Sequence, residues 1–151
     1  MQDYYQSAEQ TLLLCDDKSQ LQLDVIHQFL TQSYWSKGIA KSLVVKAIEN
    51  SLTFAVYQQT KKQVQQVAFA RVITDKSSFA YLADVFVLPE FRQLGVATAL
   101  IKFLLQHKDL QGLRRFMLCT KDAHNLYQKF GFSQINQPAM MMQIHQKNLY
   151  L

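Results

Sequence analysis

The chain has 151 residues, 16 Lys and Arg against 11 Asp and Glu for a net charge of +5, 49% hydrophobic residues and two cysteines. That length suits one domain around one core, and so high an apolar content excludes intrinsic disorder. No apolar run approaches the roughly 18 residues a membrane helix needs, and MQDYYQSAEQTLLLCDD lacks the basic start and long apolar stretch of a signal peptide. A soluble single domain, 1–151, is therefore expected. Cys15 and Cys119 stand far apart, outside any CxxC or Cys/His spacing, which predicts a reduced cytoplasmic protein without a structural metal. A sequence pI near 9.2 favours acidic partners, whether nucleic acid, a phosphorylated cofactor or an anionic surface. The four glycines are too scattered for a dinucleotide fingerprint, and P-loop, HExxH and GxSxG motifs are absent.

In chain order, Thr11 to Cys15 is a short apolar segment with strand character. Ser19 to Tyr34 spaces Leu21, Leu23, Val25, Ile26, Phe29 and Leu30 as a helix would. The YWSKG segment, Tyr34 to Gly38, interrupts this pattern, and Ile39 to Asn50 reads as a second helix. Ser51 to Gln58 and Val64 to Thr74 are rich in β-branched and aromatic residues around a polar QTKKQ turn, which predicts a hairpin. A third strand, Ser78 to Leu88, stops at Pro89, which cannot continue a central ladder. The period then changes from 2 to 3.6: Ala97, Leu100, Ile101 and Leu104 form an apolar stripe over Gly95 to Gln106, with Thr98, Lys102 and Gln106 on a polar face. Arg115 to Thr120 reads as a strand. Asp122 to Phe130 reads as a short helix that Gly131 closes. Ser133 to Ile135 and Ala139 to Ile144 are expected as two last strands around Pro138. The resulting order, β-α-α-β-β-β-α-β-α-β-β, describes a mixed α/β (α+β) sheet.

The chemistry concentrates where the third strand meets the following helix, VFVLPEFRQLGVAT. The first-turn N–H groups of a helix lack intrahelical partners and carry the positive end of its dipole, so such an end binds anions. No side chain at the start of this helix is placed to fill it, Arg92 adds full charge, and Gly95 and Ala97 let a ligand approach the backbone. A plain strand-turn-helix would look the same from one glycine. Asp84 stands inside the apolar run YLADVFVL, where period 2 puts it on the face of Leu82 and Phe86 and an unpaired charge is costly. It requires water, a substrate amine or an ion pair, for which Arg71 on the neighbouring strand is the candidate. Tyr127 by itself reads as a core aromatic beside Leu126 and Phe130. Cys119 reads as packing in an apolar strand.

Arg92-x-x-Gly95-x-Ala97, behind a strand and Pro89, resembles the pyrophosphate-binding motif of the GNAT superfamily of N-acetyltransferases. The segment AHNLYQKFGF, Ala123 to Phe132, is similar to that family's A-x-x-L-Y-x-K-x-G-F. The YWSKG segment resembles one bacterial subgroup of small single-domain members. The resemblance implies a mostly antiparallel sheet of about six or seven strands with about four helices, splayed at the strand that ends near Leu88. It implies acetyl-CoA as the acetyl donor, held by Val85, Phe86 and Val87 through backbone groups and by Arg92, Gln93, Leu94, Gly95, Val96, Ala97 and Thr98 at the pyrophosphate. Thr120 occupies the position where many members carry an asparagine on the pantetheine arm. Tyr127 matches the tyrosine that protonates the departing thiolate, and Asp84 is the candidate for the amine side. Tyr34, Trp35 and Tyr81 are the candidate walls of an acceptor pocket. The expected partner is a small-molecule or peptide amine, with neither nucleic acid nor membrane, in a monomer or homodimer. Two other classes compete: a non-catalytic acyl-CoA-binding module, and a basic nucleic-acid-binding protein. The second lacks a recognition helix or basic tract, since Lys61-Lys62 and Arg114-Arg115 are isolated pairs.

Overall fold

The structure is a computed structural model that describes residues 1–6, 11–61, 63–146 and 149–150. It opens on an antiparallel pair, β1 (Gln2–Gln6) and β2 (Thr11–Cys15), with Tyr5 opposite Leu12. The sequence pattern predicts β2 alone. In β1 only Tyr5 is even half-buried, so no apolar alternation marks it. Helix α1 (Leu23–Leu30) is shorter than the predicted span, because Asp17 caps a separate 3-10 turn at Lys18–Gln20 and residues 31–38 form turns. Helix α2 (Lys41–Glu49) follows, then the meander β3 (Leu52–Gln59), β4 (Val64–Thr74) and β5 (Phe79–Val87). Helix α3 (Val96–Leu105) crosses over to β6 (Arg115–Leu118), and α4 (His124–Gln128) comes last.

The sheet runs in order β1-β2-β3-β4-β5-β6, antiparallel throughout except for the parallel β5/β6 pair. A parallel pair needs a long crossover, and α3 supplies it. This is the predicted fold class, with six strands and four α-helices among the described residues. One face of the sheet packs Phe54, Val56, Ala68, Ala70, Val72 and Leu82 under Leu100, Ile101 and Leu104 of α3. The other sets Phe69 and Phe86 against Ile26, Leu30, Val44 and Ile48 of α1 and α2. Each fully buried aliphatic of this kind contributes about 2 kcal/mol.

Two features of the sheet position the site. The β5/β6 ladder stops at Leu82 opposite Leu118, so Ala83 to Val87 diverge from β6 and the sheet splays there. The two strands predicted at Ser133 to Ile135 and Ala139 to Ile144 do not form. Pro138 instead opens a 3-10 turn at Pro138–Met140, and Met142 and Ile144 are 96% and 99% exposed. Apolar residues become a strand only where a neighbouring strand and a covered face receive them.

Candidate active site

The mouth of the splay is shaped by a bulge. Phe69 pairs with Phe86 and Arg71 with Ala83, so Ala70 alone stands opposite both Asp84 and Val85. The extra residue is absorbed by Asp84 in the left-handed conformation, φ 53°. It reverses the alternation expected from the sequence: Leu82 belongs to the α3 face, while Phe86 turns to α1 and α2, where its ring stacks on Phe29 with centroids 4.0 Å apart. Arg71 is two residues along from Phe69 and shares its face. Its Nε donates to Asp84 Oδ2 at 2.7 Å, its Nη1 donates to Ser51 Oγ, and the indole N–H of Trp35 donates to Asp84 Oδ1 at 3.2 Å. The ion pair is 15% and 12% exposed. Of the readings open for Asp84, the Arg71 partnership is present, and the amine reading rests on the lone pairs that remain.

Beyond β5 the chain makes a 3-10 turn at Pro89–Phe91 and reaches α3 through two left-handed residues, Gln93 (φ 63°) and Gly95 (φ 80°). Gly95 is the N-cap of α3, and no side chain caps the helix. Among the described residues no side chain thus takes a capping hydrogen bond from its first-turn amides. Arg92 folds back so that Nε donates to the Val87 carbonyl at 3.1 Å, which ties the turn to the end of β5 and leaves the rest of the guanidinium free to point elsewhere.

Across the splay, Tyr127 stands on α4 at 8% exposure. Burial, then Tyr34 and Asp122 nearby, push its phenol up to about 12. Gly131 (φ 86°) ends the helix, with the Phe132 N–H donating to the Tyr127 carbonyl at 3.3 Å. Tyr81 is likewise pushed up to about 12, by burial and by Cys119 beside it. Thr120 Oγ1 accepts the Ala123 N–H at 3.0 Å, which shapes the entry to α4 and leaves the hydroxyl proton to donate. Tyr34 reaches over from the YWSKG segment: its hydroxyl accepts the Lys121 N–H at 3.3 Å, and Lys121 Nζ sits 5.9 Å from its ring centroid. The two walls enclose a cleft of about 810 Å³.

An acetyltransferase (GNAT) domain profile matches residues 49–134, which span β3 through α4 and so hold the bulge, the turn and Tyr127. The chain belongs to the GNAT family of acetyltransferases. It is 45% identical to a GNAT-family protein of Xanthomonas campestris pv. campestris, whose crystal structure superposes with a TM-score of 0.86 over 92% of this chain and 96% of that one. A protein of Gibberella zeae that is named an acetyltransferase is 29% identical over 136 residues, 78% of this chain and 76% of that one. The fold alone is shared with the ribosomal-protein-S18-alanine N-acetyltransferase of Escherichia coli, at 18% identity, TM-score 0.64, and coverage of 83% and 79%.

In this GNAT domain the structure brings Tyr34, Trp35, Tyr81, Asp84, Val85, Phe86, Val87, Arg92, Thr120 and Tyr127 around the one cleft. Gln93, Leu94, Gly95, Val96, Ala97 and Thr98 do not line it and follow Arg92 into α3. Phe29, Lys121 and Cys119 also line the cleft, although the sequence did not point to them. Cys119 is a correction: β6 ends at Leu118, so the thiol is exposed instead of packed in a strand. Arg71 had a signal in its place opposite the anomalous carboxylate. Lys62, half of one basic pair, lies outside the described residues.

Proposed function

We propose that this protein transfers the acetyl group of acetyl-CoA directly to a primary amine. GNAT acetyltransferases use acetyl-CoA as co-substrate, and the residues here suit it. The uncapped α3 start and Arg92 offer fixed and full positive charge to a pyrophosphate. The Gly95 backbone can approach such a group closely because it has no Cβ. Backbone groups of Val85, Phe86 and Val87, set free from β6, can hold the pantetheine arm and the thioester carbonyl, and Thr120 has a proton for the arm. When bound, acetyl-CoA supplies an activated acyl group with a thiolate as its leaving group.

The single observation that carries the reading is that the bulge at Asp84, Arg92 at the start of the turn into α3 and the protonated phenol of Tyr127 line one cleft. Acyl transfer needs a group to orient the amine, donors for the carbonyl oxygen and an acid for the departing sulfur. Asp84 serves the first: each carboxylate oxygen accepts one protein donor and keeps a lone pair to orient the amine nitrogen towards the carbonyl carbon. Tyr127 serves the last. As the new C–N bond forms and the C–S bond breaks, its proton passes to sulfur, and the amine proton leaves to Asp84 or water. Tyr34, Trp35 and Tyr81 wall the amine side with aromatic surface that also suits a cationic amine.

A screen of primary amines, amino acids and peptide N-termini that follows thiol release from acetyl-CoA tests this reading. Amine-dependent release is expected for at least one class. Tight CoA binding with no release for any of them would assign the cleft to a non-catalytic acyl-CoA-binding module.

A further inference from the structure

The turn that is read above as the pyrophosphate site is not held by its own residues alone. Tyr5 of β1 lies 89 positions from Leu94 in sequence, and its hydroxyl donates to the Leu94 carbonyl at 2.6 Å. The same hydroxyl occupies the space that a Cβ on Gly95 would need. A hydrogen bond and a steric contact therefore place Tyr5 on the inner side of the Leu94–Gly95 peptide, with its ring packed on the main core.

A trans peptide is planar, with its C=O and N–H directed to opposite sides. Holding the Leu94 carbonyl inward on Tyr5 thus directs the Gly95 N–H outward. This peptide needs such a hold. Glycine accepts positive and negative φ almost equally, so a peptide beside Gly95 can rotate at little conformational cost and present its carbonyl to the ligand instead. A carbonyl facing a pyrophosphate would repel it, whereas an amide at the N-cap adds a donor to those of the first turn. Replacing Gly95 would strain φ and drive a side chain into Tyr5.

We propose that Tyr5 is a positioning residue for the anion-binding turn, which fixes the Leu94–Gly95 peptide with its N–H towards the pyrophosphate of CoA. The inference rests on the reading of that turn as the pyrophosphate site.

Calorimetry with CoA and with pantetheine, which lacks the pyrophosphate, tests it on wild type, Tyr5→Phe and the control Tyr4→Phe, whose ring is 64% exposed. Tyr5→Phe should weaken CoA binding about three- to tenfold and leave pantetheine binding unchanged, while Tyr4→Phe changes neither. In turnover, KM for acetyl-CoA should rise by the same factor with kcat unaltered, a split that a general loss of structure would not give. In wild type the Gly95 amide proton should move downfield as CoA is added, a readout that needs no variant. Wild-type CoA affinity in folded Tyr5→Phe, or a Gly95 amide that CoA does not shift, overturns the role of Tyr5 alone. Wild-type protein whose affinity for CoA does not exceed that for pantetheine overturns the pyrophosphate reading and with it this inference.

Discussion

Tyr127 is the residue on which the chemistry leans most, and its environment fixes what it can do. A phenol pushed up to about 12 by burial holds its proton throughout the neutral range, which suits the proposed role of donor and not that of base. Tyr127→Phe keeps the ring and its contact with Phe132, so stability should change by less than about 1.5 kcal/mol. Turnover should fall roughly ten- to a thousandfold at unchanged CoA affinity, as steady-state kinetics beside calorimetry would show. The pH dependence follows with its sign. Folding favours the neutral phenol, so this contribution to stability is complete below about pH 10 and is lost as pH rises from 10 towards 12. A kcat profile should therefore show no decline from Tyr127 below about pH 11. Asp84→Asn should lower kcat and reshape that profile while CoA affinity stays within about twofold, because the carboxylate faces Arg71 and Trp35 and not the pyrophosphate turn. A matched loss of CoA affinity in Asp84→Asn would reduce it to a structural partner of Arg71. Asp84 was visible in the sequence as an anomaly, and Tyr127 only through its place in the AHNLYQKFGF motif. The orientation of Asp84 was not, because one left-handed residue changes which face every later side chain meets.

At the scale of elements, the bulged strand β5 and the turn into α3 act as one unit, joined by Arg92 on the Val87 carbonyl. Gly95→Val places a β-branched residue at φ 80° and drives its Cβ onto the Tyr5 hydroxyl. CoA affinity should fall at least tenfold, or about 1.4 kcal/mol, in a protein that circular dichroism finds folded. The strand-turn-helix was legible because period 2 gives way to period 3.6 on either side of Pro89, and β4 was read to the residue for a similar reason: its apolar face is continuous. Helix α1 was overextended, since apolar spacing alone does not register the Asp17 cap that starts a separate turn. The absent C-terminal strands mark the same limit. Ala139 to Ile144 has the composition of a strand, but Met142 and Ile144 meet no covered face. Strand β1 was missed for the opposite reason, as its polar sequence is recruited by pairing with β2 and its half-buried Tyr5 reaches a turn far along the chain.

For the molecule as a whole, the net charge of +5 has a chemical target in an anionic co-substrate, so CoA binding should weaken with added salt. Two apolar faces of one sheet hold helices α1 and α2 on one side and α3 on the other, the proposed amine and pyrophosphate sides, and the splay between β5 and β6 joins them. Fold class was legible because its signals lie in contiguous stretches, as do the residues of the proposed cofactor site. The cleft as a whole was not, because Phe29 and Lys121 come from separate elements that only the fold brings beside Trp35, Arg71 and Asp84. The central claim, direct transfer within this one cleft, is tested by initial rates with acetyl-CoA and an accepted amine both varied, beside the mass of the protein incubated with acetyl-CoA alone. Intersecting double-reciprocal lines and an unmodified protein are the predicted result. Parallel lines with an acetyl group carried on the protein would contradict it and move the chemistry to a covalent intermediate, with the exposed Cys119 in the cleft as the first residue to examine.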